Sequence, residues 1–476
     1  MMKQGTLQNA VMINFISKYL NIFVQLVFSA ILARLLTPQD FGVVAVTTVF
    51  TSFFLIFANL GLGVGVIQDK TLSKSDLDHI FSFTIYLAIV LSLVFAGFAW
   101  FIARFYDNSV YIPIGILLSL SLFFSALNVV PNAILQKEKK FLVIGLRTIV
   151  VTVVTAVITI ILALIGLKYY SIVINSILVS GLTFAWNYHS TRLIFHRRTD
   201  LACIKKIRSL STYQFIFNFV NYFSRNLDNL LIGKLVGPSA LAYYNQAYKL
   251  MQYPIANLTH VITPVLHPIL SDYQDNRAYI YEQYIRIAKV LSLLGAFISA
   301  FSFYNAREII LLFYGNQWEL AIPVFSILAL SVWAQMITSS SGAIFQSLGE
   351  TRLLFFAGLI NTVLTVVAIS IGVATKNITI VAICVTIAYN IHFMVAFYLL
   401  NRFGFHRPFS GFIKHFLPDF LIFGLVFLSQ YLVNPYMDDT LIVNLLLKMS
   451  VAVIVYGLAL LITRQWTTLF SFFRKN

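Results

Sequence analysis

Two charged side chains lie near the middle of an otherwise apolar segment, FIFNFVNYFSRNLDNLLIGKLVG (215–237). Arg225 and Asp228 are three residues apart, so they share one face of a helix, and Asn221 adds a polar group nearby. A charge at the centre of a bilayer costs roughly 2.5–3.5 kcal/mol on insertion scales. The pair therefore has either an architectural role, in which the charges neutralise each other, or a role in binding.

Basic residues outnumber acidic ones in the apolar segments. Lys18, Arg147 and Lys249 lie in the first, fifth and eighth of these segments, whereas Asp228 is the acid nearest the middle of one. A basic interior favours an anionic substrate, and the guanidinium fork of arginine suits phosphate oxygens. We therefore expect Arg225, Lys249, Lys18 and Asn221 to contact the substrate.

Each of these basic residues has a simpler alternative. Lys18 lies about a turn inside its segment, where a lysine can extend to the membrane surface, and Arg147 is expected to do the same. Lys289 and Lys448 are expected to be peripheral. Tyr243, Tyr244 and Tyr248 either form part of an interfacial aromatic belt or contact sugar; the alternatives stay open.

The sequence shows no catalytic motif. It has no G-x-x-x-x-G-K-[S/T] phosphate loop, no cluster of metal ligands and no loop long enough for a soluble catalytic domain. We therefore predict that the protein is not an enzyme and needs no metal or cofactor. The two cysteines, Cys203 and Cys384, suggest no disulfide framework.

The composition is that of an all-α integral membrane protein. Of the 476 residues, 59% are hydrophobic and only 11% are charged, whereas soluble domains have about 25% charged residues. A spanning helix needs about 20 mostly apolar residues, and windows of that length predict about fourteen transmembrane helices. They lie near 11–36, 41–67, 79–105, 110–136, 142–166, 169–191, 211–237, 240–270, 282–305, 319–346, 353–375, 378–401, 411–432 and 441–463.

The basic residues predict the orientation. With a cytoplasmic N-terminus, most of the 33 Lys and Arg fall on the cytoplasmic side, and the densest run is HRRTDLACIKKIR (196–208). Both termini are therefore expected to face the cytoplasm. The net charge of +16 is explained by these loops, which meet anionic lipid, so no nucleic acid partner is expected.

An internal repeat divides the chain. RLLTPQDFGVV (34–44) aligns with KLVGPSALAYY (234–244), and AILQ (133–136) aligns with AIFQ (343–346) in the same order. We predict an N-terminal six-helix lobe (1–191), a basic cytoplasmic linker (192–210), a C-terminal six-helix lobe (211–402) and two additional helices with a cytoplasmic tail (403–476). Six is even, so the two lobes form a parallel repeat, as in secondary transporters whose site lies between the halves.

Three stretches resemble a known family. NLDNLLIGKLVGPSALAYYNQAYKLMQYP (226–254), ARLLTPQDFGVVAV (33–46) and NLGLGVGVIQ (59–68) resemble the polysaccharide flippases of the multidrug/oligosaccharidyl-lipid/polysaccharide exporter superfamily. Within it, the Wzx-type exporters of the colanic and teichuronic acid kind are the most similar group. The resemblance covers essentially the whole chain.

The resemblance implies an alternating-access flippase in the bacterial cytoplasmic membrane. Its cargo would be an oligosaccharide on undecaprenyl diphosphate, moved outward for polysaccharide assembly, with polymerase machinery as a further partner. Related lipid II flippases carry basic residues on helices one, two and eight; Lys18 and Lys249 match by helix, but helix two here has no internal Lys or Arg. Some members couple transport to Na⁺ or H⁺ through a buried acid, for which Asp228 is the candidate.

One alternative function belongs to the same superfamily. A cation-coupled antiporter for drugs or organic cations would be expected to have several buried carboxylates and an acidic cavity. This chain has one central acid among several bases, which favours the flippase.

Overall fold

The described residues of the computed structural model form helices and connecting turns, with no strand. The structure describes residues 4–198, 200, 203, 215, 219, 222, 226–434 and 440–473, with side chains from residue 19 onward apart from 260–265, 267–269 and 470–473. The helices of the first half are α1 (Gln4–Leu35), α2 (Pro38–Asn59), α3 (Leu62–Gln68), α4 (Lys74–Phe105), α5 (Tyr111–Leu127), α6 (Val129–Lys137), α7 (Phe141–Leu164), α8 (Tyr169–Thr191) and α9 (226–235).

The second half continues with helices of 6 to 34 residues. They are α10 (Pro238–Ser271), α11 (Arg277–Tyr304), α12 (Ala306–Tyr314), α13 (Ala321–Ala329), α14 (Val332–Thr338), α15 (Ser341–Ser347), α16 (Thr351–Ala374), α17 (Ile378–Leu399), α18 (Phe409–Lys414), α19 (Leu417–Val433), α20 (Leu441–Ile462) and α21 (Trp466–Phe473). A 3₁₀ turn (Asn316–Trp318) and a π turn (Leu400–Gly404) complete the set.

Ten helical stretches of the described chain are long and apolar enough to cross a membrane. An eleventh is α13 with α14 and α15, where the axis bends by 49° at the break after Ala329. The chain is therefore a multi-pass helical membrane protein. Lipid-facing surfaces are evident on individual helices: α16, for example, exposes Phe355, Leu359, Val363 and Val367.

Several spans that the sequence predicted as continuous helices are broken. The span expected at 41–67 ends at Leu60 and restarts after Gly61, and both residues have positive φ values, 41° and 71°. The span expected at 110–136 is interrupted at Asn128, between α5 and α6. The span expected at 319–346 is divided into α13, α14 and α15.

The helix starts follow from local sequence. Thr37 accepts a hydrogen bond from the backbone N–H of Asp40 (3.2 Å), and the Asp40 carboxylate accepts one from the N–H of Thr37 (2.9 Å). This capping box, followed by Pro38 at the first helical position, fixes the start of α2. Ser73 and Asp76 make the same arrangement at the start of α4.

One turn has the same hydrogen bonds in both halves. Before α7, the N–H groups of Lys139 and Lys140 donate to the carbonyls of Gln136 (3.0 Å) and Leu135 (2.9 Å). Before α16, 210 residues later, Gly349 and Glu350 donate to Gln346 and Phe345 over the same distances. The residue at the turn has a positive φ in both cases, and the helix that follows has 24 residues in both.

The chain divides into two compact units, Met1–Ala242 and Tyr243–Asn476. In the first unit, α4 packs against α5, and α5 also packs against α2 and α8. In the second unit, α11 is the central helix, packed against α13, α14 and α19. Leu293 of α11, Ile422 and Val426 of α19 and Ala452 of α20 belong to one buried cluster there.

Candidate substrate-binding surfaces

The exposed surface of helix α10 is polar, whereas helices such as α16 expose apolar side chains. Among its described side chains no large hydrophobic residue is exposed, and the exposed residue is Lys249. Asn245 and Gln252, four residues before and three after Lys249, share its face of the helix and are half-buried. A helix that faced lipid would expose Leu, Val, Ile or Phe, so this face of α10 meets water or a polar ligand.

Lys249 lies well inside α10. It follows Pro238, the first residue of the helix, by eleven positions, which corresponds to roughly 16 Å along the axis. Within the part of the chain that the structure describes, its ammonium has no carboxylate partner. An unpaired ammonium on a polar surface can attract an anion, as the sequence predicted for this residue.

A group of uncharged polar side chains lies beside Lys249. The hydroxyls of Tyr248 and Tyr389 are 2.9 Å apart. The Gln252 carboxamide nitrogen donates to the Tyr248 hydroxyl (3.1 Å) and to the Gln335 carboxamide oxygen (3.3 Å). These four side chains come from α10, α14 and α17, and all are half-buried.

The tyrosines at the start of α10 occupy a different environment from an interfacial belt. Tyr244 is only 1% exposed, and its ring stacks on that of Tyr248 with centroids 6.0 Å apart. Tyr243 packs edge-on against Trp318. All three rings thus pack against protein neighbours, and the Tyr248 hydroxyl also belongs to the polar group.

Helix α2 of the first unit also exposes polar residues. Gln39, Thr48 and Ser52 are exposed, whereas no large hydrophobic residue of α2 is. The Thr48 hydroxyl donates to the Val44 carbonyl (2.8 Å), which satisfies it within the helix. The polar face of α2 carries no charge comparable to Lys249.

Arg147 is buried, contrary to the expectation that it extends to the membrane surface. Its side chain lies inside the first unit, where the guanidinium donates to the Oδ1 atoms of Asn187 (2.7 Å) and Asn132 (3.2 Å). Asn187 in turn donates to Asn128 (2.7 Å), which lies at the break between α5 and α6. The arginine is therefore held by amide oxygens, and no carboxylate of the described residues pairs with it.

The other predicted site residues are only partly described. Arg225 and Asn221 lie outside the described residues, and Lys18 lies in α1 with a side chain outside them. Asp228 is half-buried on α9, and its carboxylate accepts a hydrogen bond from the Asn229 N–H (2.8 Å). The structure therefore places Lys249 and Asp228 but does not test the other three.

Helix α9 belongs to the first unit and contacts the end of α4 there. The Tyr106 hydroxyl donates to the Leu230 carbonyl (3.3 Å), and burial raises the pKa of Tyr106 to about 12, so it remains a donor. Lys234 donates to the Phe105 carbonyl and pairs with Asp107 (3.0 Å).

Two buried ion pairs in the second unit involve lysines that the sequence suggested were peripheral. Lys289 of α11 contacts Asp419 (2.5 Å), and Asp419 also accepts a hydrogen bond from Ser292. Lys448 of α20 contacts Glu308 of α12 (2.5 Å). These partners are 130 and 140 residues apart in the chain, so the only sequence signal was the presence of charges in apolar segments.

Solved structures similar to this chain identify its fold. A lipid II flippase MurJ in an inward closed conformation matches with a TM-score of 0.74 and 13% identity, covering 95% of this chain and 99% of that one. An inward-facing multidrug resistance MATE transporter matches with a TM-score of 0.59 and 17% identity, covering 83% and 96%. The chain thus shares the fold of these two membrane proteins.

The sequence comparisons narrow the class to one family. Residues 31–323, more than half of the chain, match the family model described as "Polysaccharide biosynthesis protein". The chain belongs to this family of Wzx-type polysaccharide exporters, which are membrane transport proteins and not enzymes. The family predicted from the sequence is confirmed.

Curated relatives agree with this assignment. The teichuronic acid biosynthesis protein TuaB of Bacillus subtilis is 22% identical over 70% of this chain and 69% of its own. The lipopolysaccharide biosynthesis protein WzxC of Escherichia coli is 21% identical over 73% and 71%. The succinoglycan biosynthesis transport protein ExoT of Rhizobium meliloti is 23% identical over 72% and 69%.

Proposed function

We propose that the protein is a flippase that moves an undecaprenyl-diphosphate-linked oligosaccharide outward across the bacterial cytoplasmic membrane by alternating access. Membership of a polysaccharide export family supports a glycan as cargo. The observation that carries the proposal is Lys249, an exposed cation that no carboxylate of the described residues pairs with, on a helix face whose described side chains include no exposed large hydrophobic residue. A diphosphate supplies the anion that this surface attracts, and charge-assisted contacts to phosphate are strong.

The proposal includes the remaining predicted site residues. Arg225, Lys18 and Asn221 contribute to diphosphate binding together with Lys249. Asp228 is the candidate acid for coupling to Na⁺ or H⁺, and its half-buried carboxylate on α9 is consistent with that role.

The proposed architecture has fourteen transmembrane helices. Adding α1, the segment 211–237 and α10 to the eleven apolar spans gives this number. The identical turns before α7 and α16 support two six-helix lobes, 1–191 and 211–402, with two further helices in 403–476. Both termini would then face the cytoplasm, as would the linker 192–210, and the glycan would be delivered to polymerase machinery outside.

The experiment replaces Lys249 with Ala in cells whose polysaccharide export depends on this protein. Loss of a charge-assisted hydrogen bond costs about 1.5–3 kcal/mol, so export should fall roughly ten- to hundredfold. The measurement is extracellular polysaccharide per cell, with the amount of protein in the membrane fraction measured alongside. Arg225→Ala should have the same effect.

Lys376→Ala is the matched control. Lys376 is also an exposed lysine but lies in the turn between α16 and α17, away from the polar face of α10. Its replacement should leave export unchanged. Export at the wild-type level in both the Lys249 and Arg225 variants would contradict the proposal.

The substrate is tested with purified protein in liposomes. Lipid-linked oligosaccharide placed in one leaflet should become accessible in the other only when the protein is present. Transfer of an organic cation in place of the lipid would point to the drug antiporters of the superfamily.

A further inference from the structure

An uncharged polar group lies next to Lys249. Tyr248, Gln252, Gln335 and Tyr389 form a continuous set of hydrogen bonds across α10, α14 and α17. Uncharged polar side chains in a membrane can join helices by hydrogen bonds, but these four also lie beside an exposed lysine, and an ionisable residue within a membrane helix indicates a functional site. The function proposed above assigns no role to these four residues.

The group is held in a fixed geometry. Gln335 donates to the Ser331 hydroxyl (2.8 Å), which in turn donates to the Leu328 carbonyl (2.6 Å) at the bend between α13 and α14. Gln252 uses its nitrogen for both of its contacts within the group. A rigidly held set of hydrogen-bonding groups is the arrangement that a specific binding site requires.

The group also has an open acceptor. The Gln252 carboxamide oxygen has no hydrogen-bond donor among the described residues, and the Gln252 side chain is only half-buried. Gln252 follows Lys249 by three positions on α10, so their Cβ atoms are about 5–6 Å apart on one face. A ligand bound by the ammonium of Lys249 would therefore extend to this oxygen.

We propose that Tyr248, Gln252, Gln335 and Tyr389 form a subsite for the sugar nearest the diphosphate. Sugar hydroxyls both donate and accept hydrogen bonds, which matches carboxamides and tyrosine hydroxyls. The first sugar is bonded directly to the diphosphate, so it lies within one helical turn of the group that Lys249 binds. The subsite lacks charge, as suits a neutral glycan, and it rests on the proposed function.

The competing explanation is that these hydrogen bonds only join three helices. The two explanations differ in what they predict for binding. A structural network affects every ligand alike, whereas a glycan subsite affects only lipids that carry the sugar.

The experiment measures binding of two lipids to the full-length protein by native mass spectrometry. One probe is the lipid-linked oligosaccharide extracted from cells that lack this exporter, and the other is undecaprenyl diphosphate. The variants are Gln252→Met, which keeps the chain length but removes the carboxamide, and Tyr389→Phe, which removes one hydroxyl. Tyr398→Phe is the control, because Tyr398 lies on the same helix α17 but is 48% exposed and outside the polar group.

We expect the wild-type protein to bind the glycosylated lipid more tightly than undecaprenyl diphosphate. Gln252→Met and Tyr389→Phe should each reduce the affinity for the glycosylated lipid about three- to tenfold and leave that for undecaprenyl diphosphate unchanged. Lys249→Ala should weaken both lipids equally, and Tyr398→Phe neither.

Other outcomes overturn the inference in distinguishable ways. If wild type binds both lipids equally, or if the Gln252 and Tyr389 variants weaken both lipids equally or neither, the subsite is refuted and the proposed function stands. If wild type binds neither lipid, the proposed function fails together with the subsite. Tyr389→Phe keeps the test decisive if Gln252→Met fails to fold.

Discussion

Two regions of the second unit differ in whether their lysines pair with carboxylates. Where α11 and α12 meet α19 and α20, Lys448 is buried, Lys289 is partly buried, and each contacts a buried carboxylate at 2.5 Å. On α10, Lys249 is exposed and has no carboxylate partner in the described part of the chain. The difference separates charges that hold the protein together from a charge that is available to a ligand.

The paired region shows what attaches α19 and α20 to the rest of the second unit. The Lys448 ammonium also donates to Asn434 (2.7 Å), and the Asn305 carboxamide donates to Gln430 (3.0 Å). These contacts link α11 and α12 to α19 and α20 through specific partners, in addition to their shared apolar cluster. Since apolar contacts give little directional preference in lipid, hydrogen bonds of this kind fix which helices associate.

The largest effect should follow from breaking one buried pair. Lys448→Ala leaves Glu308 buried without its partner, so we expect the free energy of unfolding to fall by about 3–5 kcal/mol. Thermal unfolding of the protein purified in detergent would measure the change. The double replacement Lys448→Met with Glu308→Leu should recover most of the stability, because both charges are removed.

Lys249→Ala serves as the comparison in the same measurement. Its side chain is exposed, so its removal should change the free energy of unfolding by no more than about 0.5 kcal/mol. Equal losses of unfolding free energy in the Lys448 and Lys249 variants would contradict the distinction between the two regions.

Arg147 is an intermediate case, and its replacement should have a smaller effect. It is buried like Lys448, but its partners are the amide oxygens of Asn187 and Asn132. Arg147→Met leaves these oxygens without a donor, so we expect a loss of about 1–3 kcal/mol in the same unfolding measurement. A variant as stable as wild type, yet unable to export, would instead assign Arg147 to the substrate.

The class and family could be predicted from sequence because they depend on composition and on short local runs. The breaks in the helices could not all be predicted. Gly61 gives a signal for the break after α2, and Pro131, which cannot donate a helical hydrogen bond to the Leu127 carbonyl, gives one for the break at Asn128. The break between α13 and α14 has neither Gly nor Pro within a turn, so no local pattern indicates it. Helix continuity is therefore decided by packing as well as by local sequence.

One residue, Lys249, allowed the candidate site to be predicted from the sequence. Lys249 is conspicuous because a lysine well inside an apolar segment needs an explanation. Lys289 and Lys448 were misjudged because their partners are more than 100 residues away in the chain. The role of Tyr248 depends on Tyr389, 141 residues later, and no local pattern indicates that contact.

The central claim, that Lys249 is available to an anionic lipid whereas Lys448 is not, can be tested by amine labelling. The full-length protein in detergent is treated with an amine-acetylating reagent, with and without undecaprenyl diphosphate, and modification of each lysine is measured by peptide mass spectrometry. We predict that Lys249 is acetylated without the lipid and protected by it, while Lys448, at 2% exposure, stays unmodified in both samples. Equal acetylation of Lys249 in the two samples, or none in either, would contradict the account.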